Sequence, residues 1–128
     1  MDEAGRIEVI IADDNAMVLS QMRALLSLEK DIIIVGQARN GFEVVKLAGE
    51  HTPDVVLMDL KMSHMDGFEA VRQLKEAQPG MRIVVLTMYD NEDYKQKALS
   101  LGADAYLIKG RPMQEILDTI KKNVSKNL

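Results

Sequence analysis

Five short blocks of almost unbroken apolar sequence, rich in β-branched residues, recur along this chain: Ile7–Ala12, Ile32–Ala38, Asp54–Met58, Met81–Leu86 and Asp104–Ile108. They do not alternate polar with apolar positions, so each reads as a strand covered on both faces, as strands are in a parallel sheet. The segments between them carry helical spacing instead. Val18, Met22, Leu25 and Leu26 fall at i, i+4, i+7 and i+8, and Met113, Ile116, Leu117, Ile120 and Val124 keep the same rhythm. Parallel neighbours need crossover connections, which are right-handed, so five βα units predict an α/β fold with helices on both faces of the sheet.

The punctuation agrees. Asn40-Gly41 marks a turn into the second helix, Asp66 and Asn91 are placed to cap the third and fourth, and Pro112 suits the first turn of the fifth. Gly49 and Gly102 stand where helix C-caps are expected. With 128 residues the chain reads as one domain, 1–128, with a folded core over about 6–122 and the start of a linker or tail over 123–128. Of the nine methionines, Met17, Met22, Met58, Met81 and Met113 are expected to fill core space, while Met62, Met65 and Met88 are expected to shield the strand ends.

Composition removes several function classes. There is no cysteine, hence no disulfide scaffold, thiolate zinc site or thiol nucleophile. No apolar run approaches the ~18–20 residues of a membrane span, and the acidic start, Met1-Asp2-Glu3-Ala4-Gly5, lacks the basic and apolar regions of a secretory signal; a cytoplasmic setting is expected. The net charge of −4 argues against this segment binding nucleic acid by charge alone.

In an open α/β sheet, ligands bind beyond the carboxyl ends of the strands. Strand one is followed by Asp13 and Asp14, strand three by Asp59, strand four by Thr87 and strand five by Lys109; strand two ends in Ala38-Arg39-Asn40 and supplies no comparable group. Singly, each has an ordinary explanation in capping, turn formation or solvation. Together they have a cost, because carboxylates converging on one edge repel one another unless a cation compensates them. Lys109 supplies one positive charge, and an all-oxygen site suits Mg²⁺ for the remainder. The Asp-rich loop after strand one would repel a phosphate cradled there, no GxxxxGK[ST], GxGxxG or GxSxG occurs, and His51 and His64 read as surface residues. What remains is a set for phosphoryl transfer: a carboxylate nucleophile, a metal, a hydroxyl and an ammonium. A phosphatase of the haloacid dehalogenase type would need an acid/base Asp two residues after its nucleophile, where this chain has Lys61, so turnover is disfavoured and an acyl phosphate should persist as a signal.

The blocks Ile10-Ile11-Ala12-Asp13-Asp14-Asn15, Val55-Val56-Leu57-Met58-Asp59-Leu60-Lys61-Met62, Met65-Asp66-Gly67, Val84-Val85-Leu86-Thr87 and Ala105-Tyr106-Leu107-Ile108-Lys109 resemble, in order and over nearly the whole chain, the receiver domain of two-component response regulators. The resemblance implies a flavodoxin-like (βα)5 three-layer sandwich with strand order 2-1-3-4-5. It implies a phosphorylation-activated switch and no enzyme beyond a self-catalysed, Mg²⁺-dependent phosphoryl transfer. Asp59 would accept the phosphoryl group from a sensor histidine kinase; Asp13, Asp14, Asp59 and the backbone carbonyl of Lys61 would hold Mg²⁺; Thr87 and Lys109 would bind phosphoryl oxygens. Thr87 and Tyr106 would relay the event to the face formed by helix four, strand five and helix five. Leu86-Thr87-Met88-Tyr89-Asp90 and Tyr106-Leu107-Ile108-Lys109-Gly110 look most like the NarL/FixJ group, which implies a C-terminal LuxR-type helix-turn-helix domain in the parent protein and a transcriptional output, and leaves open a homodimer when phosphorylated. The alternatives are a receiver-like interaction module that works without phosphorylation and the Mg²⁺-dependent phosphatase.

Two positions depart from the family pattern. Ser63 replaces a proline common after the acceptor, which removes a fixed φ and predicts a looser loop, and Gly110 replaces the proline common after the lysine, which leaves open how the Lys109 backbone is held.

Overall fold

The structure, a computed structural model, describes residues 1–122; the expected tail, 123–128, lies outside the described residues. Its elements run β1 (Ile7–Ala12), α1 (Ala16–Leu26), β2 (Ile32–Ala38), α2 (Gly41–His51), β3 (Val55–Met58), α3 (Gly67–Ala77), β4 (Arg82–Thr87), α4 (Glu92–Ser100), β5 (Ala105–Ile108) and α5 (Met113–Lys121). The strands form one sheet of order β2-β1-β3-β4-β5, and every neighbouring pair is parallel. This is the flavodoxin-like arrangement expected from the sequence. β3 and β5 begin one residue later than the apolar blocks because Asp54 and Asp104 serve as side-chain acceptors at the strand entries. Their carboxylates accept from the N–H groups of Glu8 and Ile83, each at 2.8 Å.

The continuous apolar runs follow from two cores, one on each face. Ile10, Val56, Met58, Ile83 and Val85 point toward α2, α3 and α4, where they meet Val44, Ala48, Ala70, Val71, Leu74 and Ala98. Their neighbours in sequence, Val9, Ile11, Val55, Leu57, Val84 and Leu86, point the other way to Leu19 and Leu26 of α1 and to Ile116, Leu117 and Ile120 of α5. Each fully buried Leu, Ile or Val contributes about 1.5–3 kcal/mol. β1, β3 and β4 therefore lie buried on both faces, whereas the edge strands β2 and β5 are largely half-buried.

Helix ends match the sequence at Asn15, Asn40, Asp66 and Asn91, whose side chains each accept from N–H groups of the following turn. Pro112 is itself the N-cap residue of α5, one position earlier than expected. Gly102 follows α4 with φ +119, as a C-terminal glycine does. Gly49 does not end α2. The helix continues to His51 and stops because Pro53 cannot extend it, with Thr52 taking the left-handed cap at φ 43 and donating its N–H to the Ala48 carbonyl at 2.9 Å. The stripe of α1 also needs correction. Leu19 and Leu26 are buried, but Leu25 is 46% and Met17 70% exposed, since both lie off the face toward β1. Met58 and Met81 are buried, and Met22 and Met113 are half-buried against the α1/α5 core.

Gly67 opens α3 directly under the loop after β3. A Cβ there would press on the Leu60 Cα and come within 2.8 Å of the Asp59 carbonyl oxygen. We expect Gly67→Ala to cost about 1–3 kcal/mol in urea denaturation, the usual range for forced overpacking; an unchanged midpoint would show that the loop moves away freely.

Candidate functional site

Sheet register brings the strand-end residues together. Ala12 faces Met58, Met58 faces Val85, and Thr87 faces Ile108. Asp13, Asp59 and Lys109 are therefore each the first residue beyond a paired position, and Thr87 ends its strand at the same rim. Backbone bonds prolong the ladder through them: Asp13 N–H to Ala38 O at 3.0 Å, Asp59 N–H to Ala12 O at 3.0 Å and Lys109 N–H to Thr87 O at 2.8 Å. The last bond settles the departure after the lysine. The Lys109 backbone is pinned by Thr87, and Gly110 then turns away with φ +92, a conformation that favours glycine.

The Lys109 ammonium donates to Asp13 Oδ2 at 2.6 Å and to Asp59 Oδ2 at 2.8 Å. The other oxygens of the two carboxylates accept from backbone N–H groups, Asp13 Oδ1 from Asn15 at 2.9 Å and Asp59 Oδ1 from Lys61 at 3.3 Å. Both aspartates are buried, over an apolar floor of Val18, Leu19, Met22, Leu57 and Leu86. Away from water these charge pairs are stronger than on the surface. Burial pulls the Lys109 ammonium down, but hydrogen bonds to Asp13 and Asp59, together with their charges, hold it above the ordinary lysine value of 10.5.

Of the three expected carboxylates, two meet at the Lys109 ammonium. Asp14 is exposed, and among the described residues no three acidic side chains stand close enough to enclose an ion. The physical reason is charge balance: one ammonium gathers the two buried carboxylates, while the third keeps its charge hydrated. The donor set still fits a hard divalent cation, because Asp13, Asp14 and Asp59 carry three negative charges at one rim against the single charge of Lys109, and every candidate ligand is an oxygen.

Thr87 is fully buried at the end of β4, and its Oγ1 accepts from the Tyr89 N–H at 3.3 Å. The Tyr106 hydroxyl donates to the Tyr89 carbonyl at 2.6 Å from a half-buried ring on the side of α2, α3 and α4. Burial first, then the charges of Asp90 and Asp59, push this phenol above its ordinary value of 10.0. Thr87 and Tyr106 thus hold the N–H and the carbonyl of one residue, Tyr89, in the β4–α4 loop. Sequence reasoning named both residues, and Tyr89 as a family position two residues beyond Thr87, but not the backbone role of Tyr89, which carries no side-chain signal.

Around the rim, Lys61 and His64 are exposed, Met62 is buried and Met65 half-buried, while His51, also exposed as expected, ends α2 on the opposite side of the sheet. Met88, at 71% exposure, shields nothing. The loop lacking the proline is held differently from the expectation of looseness, by a parallel bridge between Ser63 and Asn40. From the end of β2, Arg39 donates through Nη2 to the Asp14 carbonyl at 3.0 Å. Strand two therefore does reach the site, through a side chain whose length hid its destination.

Residues 9–121 match the response regulator receiver domain family. The response regulator protein VraR of Staphylococcus saprophyticus is 40% identical over 118 residues, covering 91% of this chain and 56% of that protein. The transcriptional regulatory protein YxjL of Bacillus subtilis is 34% identical over 91% of this chain and 53% of its own length. The chain thus spans about half the length of the curated relatives it matches. Among solved structures, a DNA-binding response regulator of the LuxR family from Staphylococcus aureus superposes with a TM-score of 0.85 at 31% identity, over 91% of this chain and 97% of that one. The receiver domain of a NarL response regulator from Mycobacterium tuberculosis superposes with a TM-score of 0.84 at 26% identity, over 91% and 98%. A rim built on paired aspartates and a lysine, in a sheet of this order and with these relatives, leaves one family: the chain belongs to the response regulator receiver domains of two-component systems and is of the NarL/FixJ-like type.

Proposed function

We propose that Asp59 is the phosphoacceptor of this receiver and that the donor is the phosphohistidine of a sensor kinase. The observation that carries the reading is the Lys109 ammonium bridging buried Asp13 and Asp59 at 2.6 and 2.8 Å. In the step, an Asp59 carboxylate oxygen forms a bond to phosphorus while the phosphorus–nitrogen bond breaks in line opposite it, and the departing imidazole takes up a proton. Lys109 turns from the Asp59 carboxylate to the phosphoryl oxygens, where its held positive charge stabilises the charge that spreads in the transition state. Mg²⁺, which receiver domains generally bind at the phosphorylation site, would be held by Asp13, Asp14, Asp59 and the Lys61 backbone carbonyl and supplies neutralising charge for the same oxygens.

The output begins at Thr87. Its contact with Tyr89 N–H is long at 3.3 Å, so little holds the hydroxyl back from turning to donate its proton to a phosphoryl oxygen. As Thr87 turns toward Asp59 it releases the Tyr89 N–H, while the carbonyl of the same residue is held by Tyr106. Tyr106 then moves further inward, and the face of α4, β5 and α5 shifts population toward a form fit for a partner.

As a whole, residues 1–128 act as a single receiver domain with a core over about 6–122 and the start of a linker or tail over 123–128. The LuxR-family relative, a DNA-binding response regulator, supports a parent protein that carries a C-terminal helix-turn-helix domain and controls transcription; a cytoplasmic setting and a homodimer on phosphorylation are further parts of the proposal. No described helix is long and apolar enough to cross a membrane. Incubation with acetyl phosphate and Mg²⁺ should add one phosphoryl group, about 80 Da in intact mass, and EDTA should prevent it. No adduct favours the phosphorylation-independent module, and multiple-turnover release of phosphate from a small phosphoester favours the phosphatase.

A further inference from the structure

The β2–α2 turn touches both halves of the site without supplying a ligand. Arg39 donates to the Asp14 carbonyl at 3.0 Å through Nη2, and its own backbone N–H donates to Glu43 Oε1 at 3.1 Å. Glu43 is locked in turn: its N–H donates to Asn40 Oδ1 at 2.9 Å, and its Oε1 accepts from Asn40 Nδ2 at 3.2 Å. On the other side of the turn, Asn40 pairs with Ser63, and Gly41 lies so close to the loop after β3 that a Cβ would stand 2.5 Å from the Met65 carbonyl oxygen. One rigid helix start thus grips both the loop that carries Asp14 and the loop that follows Asp59.

Asp14 is the carboxylate for which this grip matters. Asp13 and Asp59 are aimed by Lys109 and by the N–H groups of Asn15 and Lys61. The Asp14 side chain is exposed, and among the described residues no hydrogen bond orients it. Its direction is set by its backbone, and Arg39 holds that backbone from a different strand. We propose that Arg39 is a positioning residue that presents Asp14 to the divalent cation, an inference that rests on the assignment of Asp14 to the Mg²⁺ site. Arg39 is not itself a ligand: as a cation it repels Mg²⁺, and this gives the test a sign. If the residue acted only through charge, removing it would tighten metal binding; if it positions, removing it weakens binding, as loss of a partner that orients a ligand does.

The test is a Mg²⁺ titration of the full chain by calorimetry, for the native sequence, Arg39→Met and Arg39→Lys, with melting curves recorded in EDTA. Arg39→Met, which keeps the aliphatic stem, should raise the Mg²⁺ Kd on the order of tenfold and leave the melting temperature in EDTA unchanged. Arg39→Lys, which keeps the charge and one donor, should recover most of the loss. An Arg39→Met Kd equal to or lower than the native value overturns the proposal, as does a loss of affinity matched by a lower melting temperature in EDTA. Absence of Mg²⁺ binding by the native chain overturns the metal assignment itself, an outcome distinct from native binding that Arg39→Met leaves intact.

Discussion

Asp59→Asn should take up no phosphoryl group from acetyl phosphate under conditions that add about 80 Da to the native chain. The amide has neither the charge nor the basicity to attack phosphorus, while its geometry keeps the surroundings in place. An asparagine oxygen still accepts from the Lys109 ammonium, the bond Asp59 Oδ2 makes at 2.8 Å, and the amide NH2, which cannot accept, gives up only the longer bond from the Lys61 N–H at 3.3 Å. Stability is the informative control. Removing one member of a buried ion pair is ordinarily destabilising by about 3–5 kcal/mol, but here two carboxylates share one ammonium. Asp59→Asn leaves a one-to-one pair of Lys109 and Asp13, so the variant should melt at or above the native temperature. Loss of labelling in a folded, stable variant assigns the acceptor; labelling at the native rate would move it to Asp13 or Asp14.

Lys109→Ala should have the opposite effect on the fold. It leaves Asp13 and Asp59 buried with no cation between them, and we expect a loss of about 3 kcal/mol in EDTA at neutral pH, at the lower end of what breaking a buried pair costs because the ammonium itself keeps some exposure. Added Mg²⁺ should restore much of the loss, since a ligand that binds only the folded state stabilises it by RT ln(1 + [L]/Kd). The dependence on pH carries a further check. The folded ammonium titrates above its unfolded value of 10.5, so its contribution is complete below that value and is lost as pH rises through the folded one. The gap in stability between native and variant should therefore hold across neutral pH and narrow only above about 10.5. A gap that closes between pH 5 and 8 would contradict the assignment. Even with Mg²⁺ present, phosphorylated Lys109→Ala should fail to shift the α4, β5 and α5 face, because the charge that draws the phosphoryl oxygens is gone.

Much of this was legible in the chain itself, for identifiable reasons. The layers follow from apolar runs that are continuous because both faces of β1, β3 and β4 are buried, whereas the strand order came only with the family resemblance. The rim follows because residues ending parallel strands must share an edge. Failures occurred where side-chain identity underdetermines direction. Met17 has the composition of a core residue and faces solvent, and Gly49 has the look of a cap while Thr52-Pro53 ends the helix. Asp14 sits beside Asp13 in sequence yet does not join the buried pair, since adjacent residues leaving a strand point to different sides. Arg39 passed as an ordinary strand terminus because a long side chain reaches β1 only across a register that no spacing rule reveals.

The central claim is that charge arriving at Asp59 is felt through Thr87 and the Tyr89 peptide at Tyr106. The most direct measurement is a set of ¹H–¹⁵N correlation spectra of the native chain without additions, with Mg²⁺, and with Mg²⁺ plus beryllofluoride, a mimic of the phosphoryl group. Mg²⁺ alone should shift residues around Asp13, Asp14 and Lys61, and beryllofluoride should extend the changes through Thr87 and Tyr89 to Tyr106 and the α4, β5 and α5 face. Spectra that do not respond to Mg²⁺, or changes that stop at the Asp59 loop when beryllofluoride is added, would contradict the account.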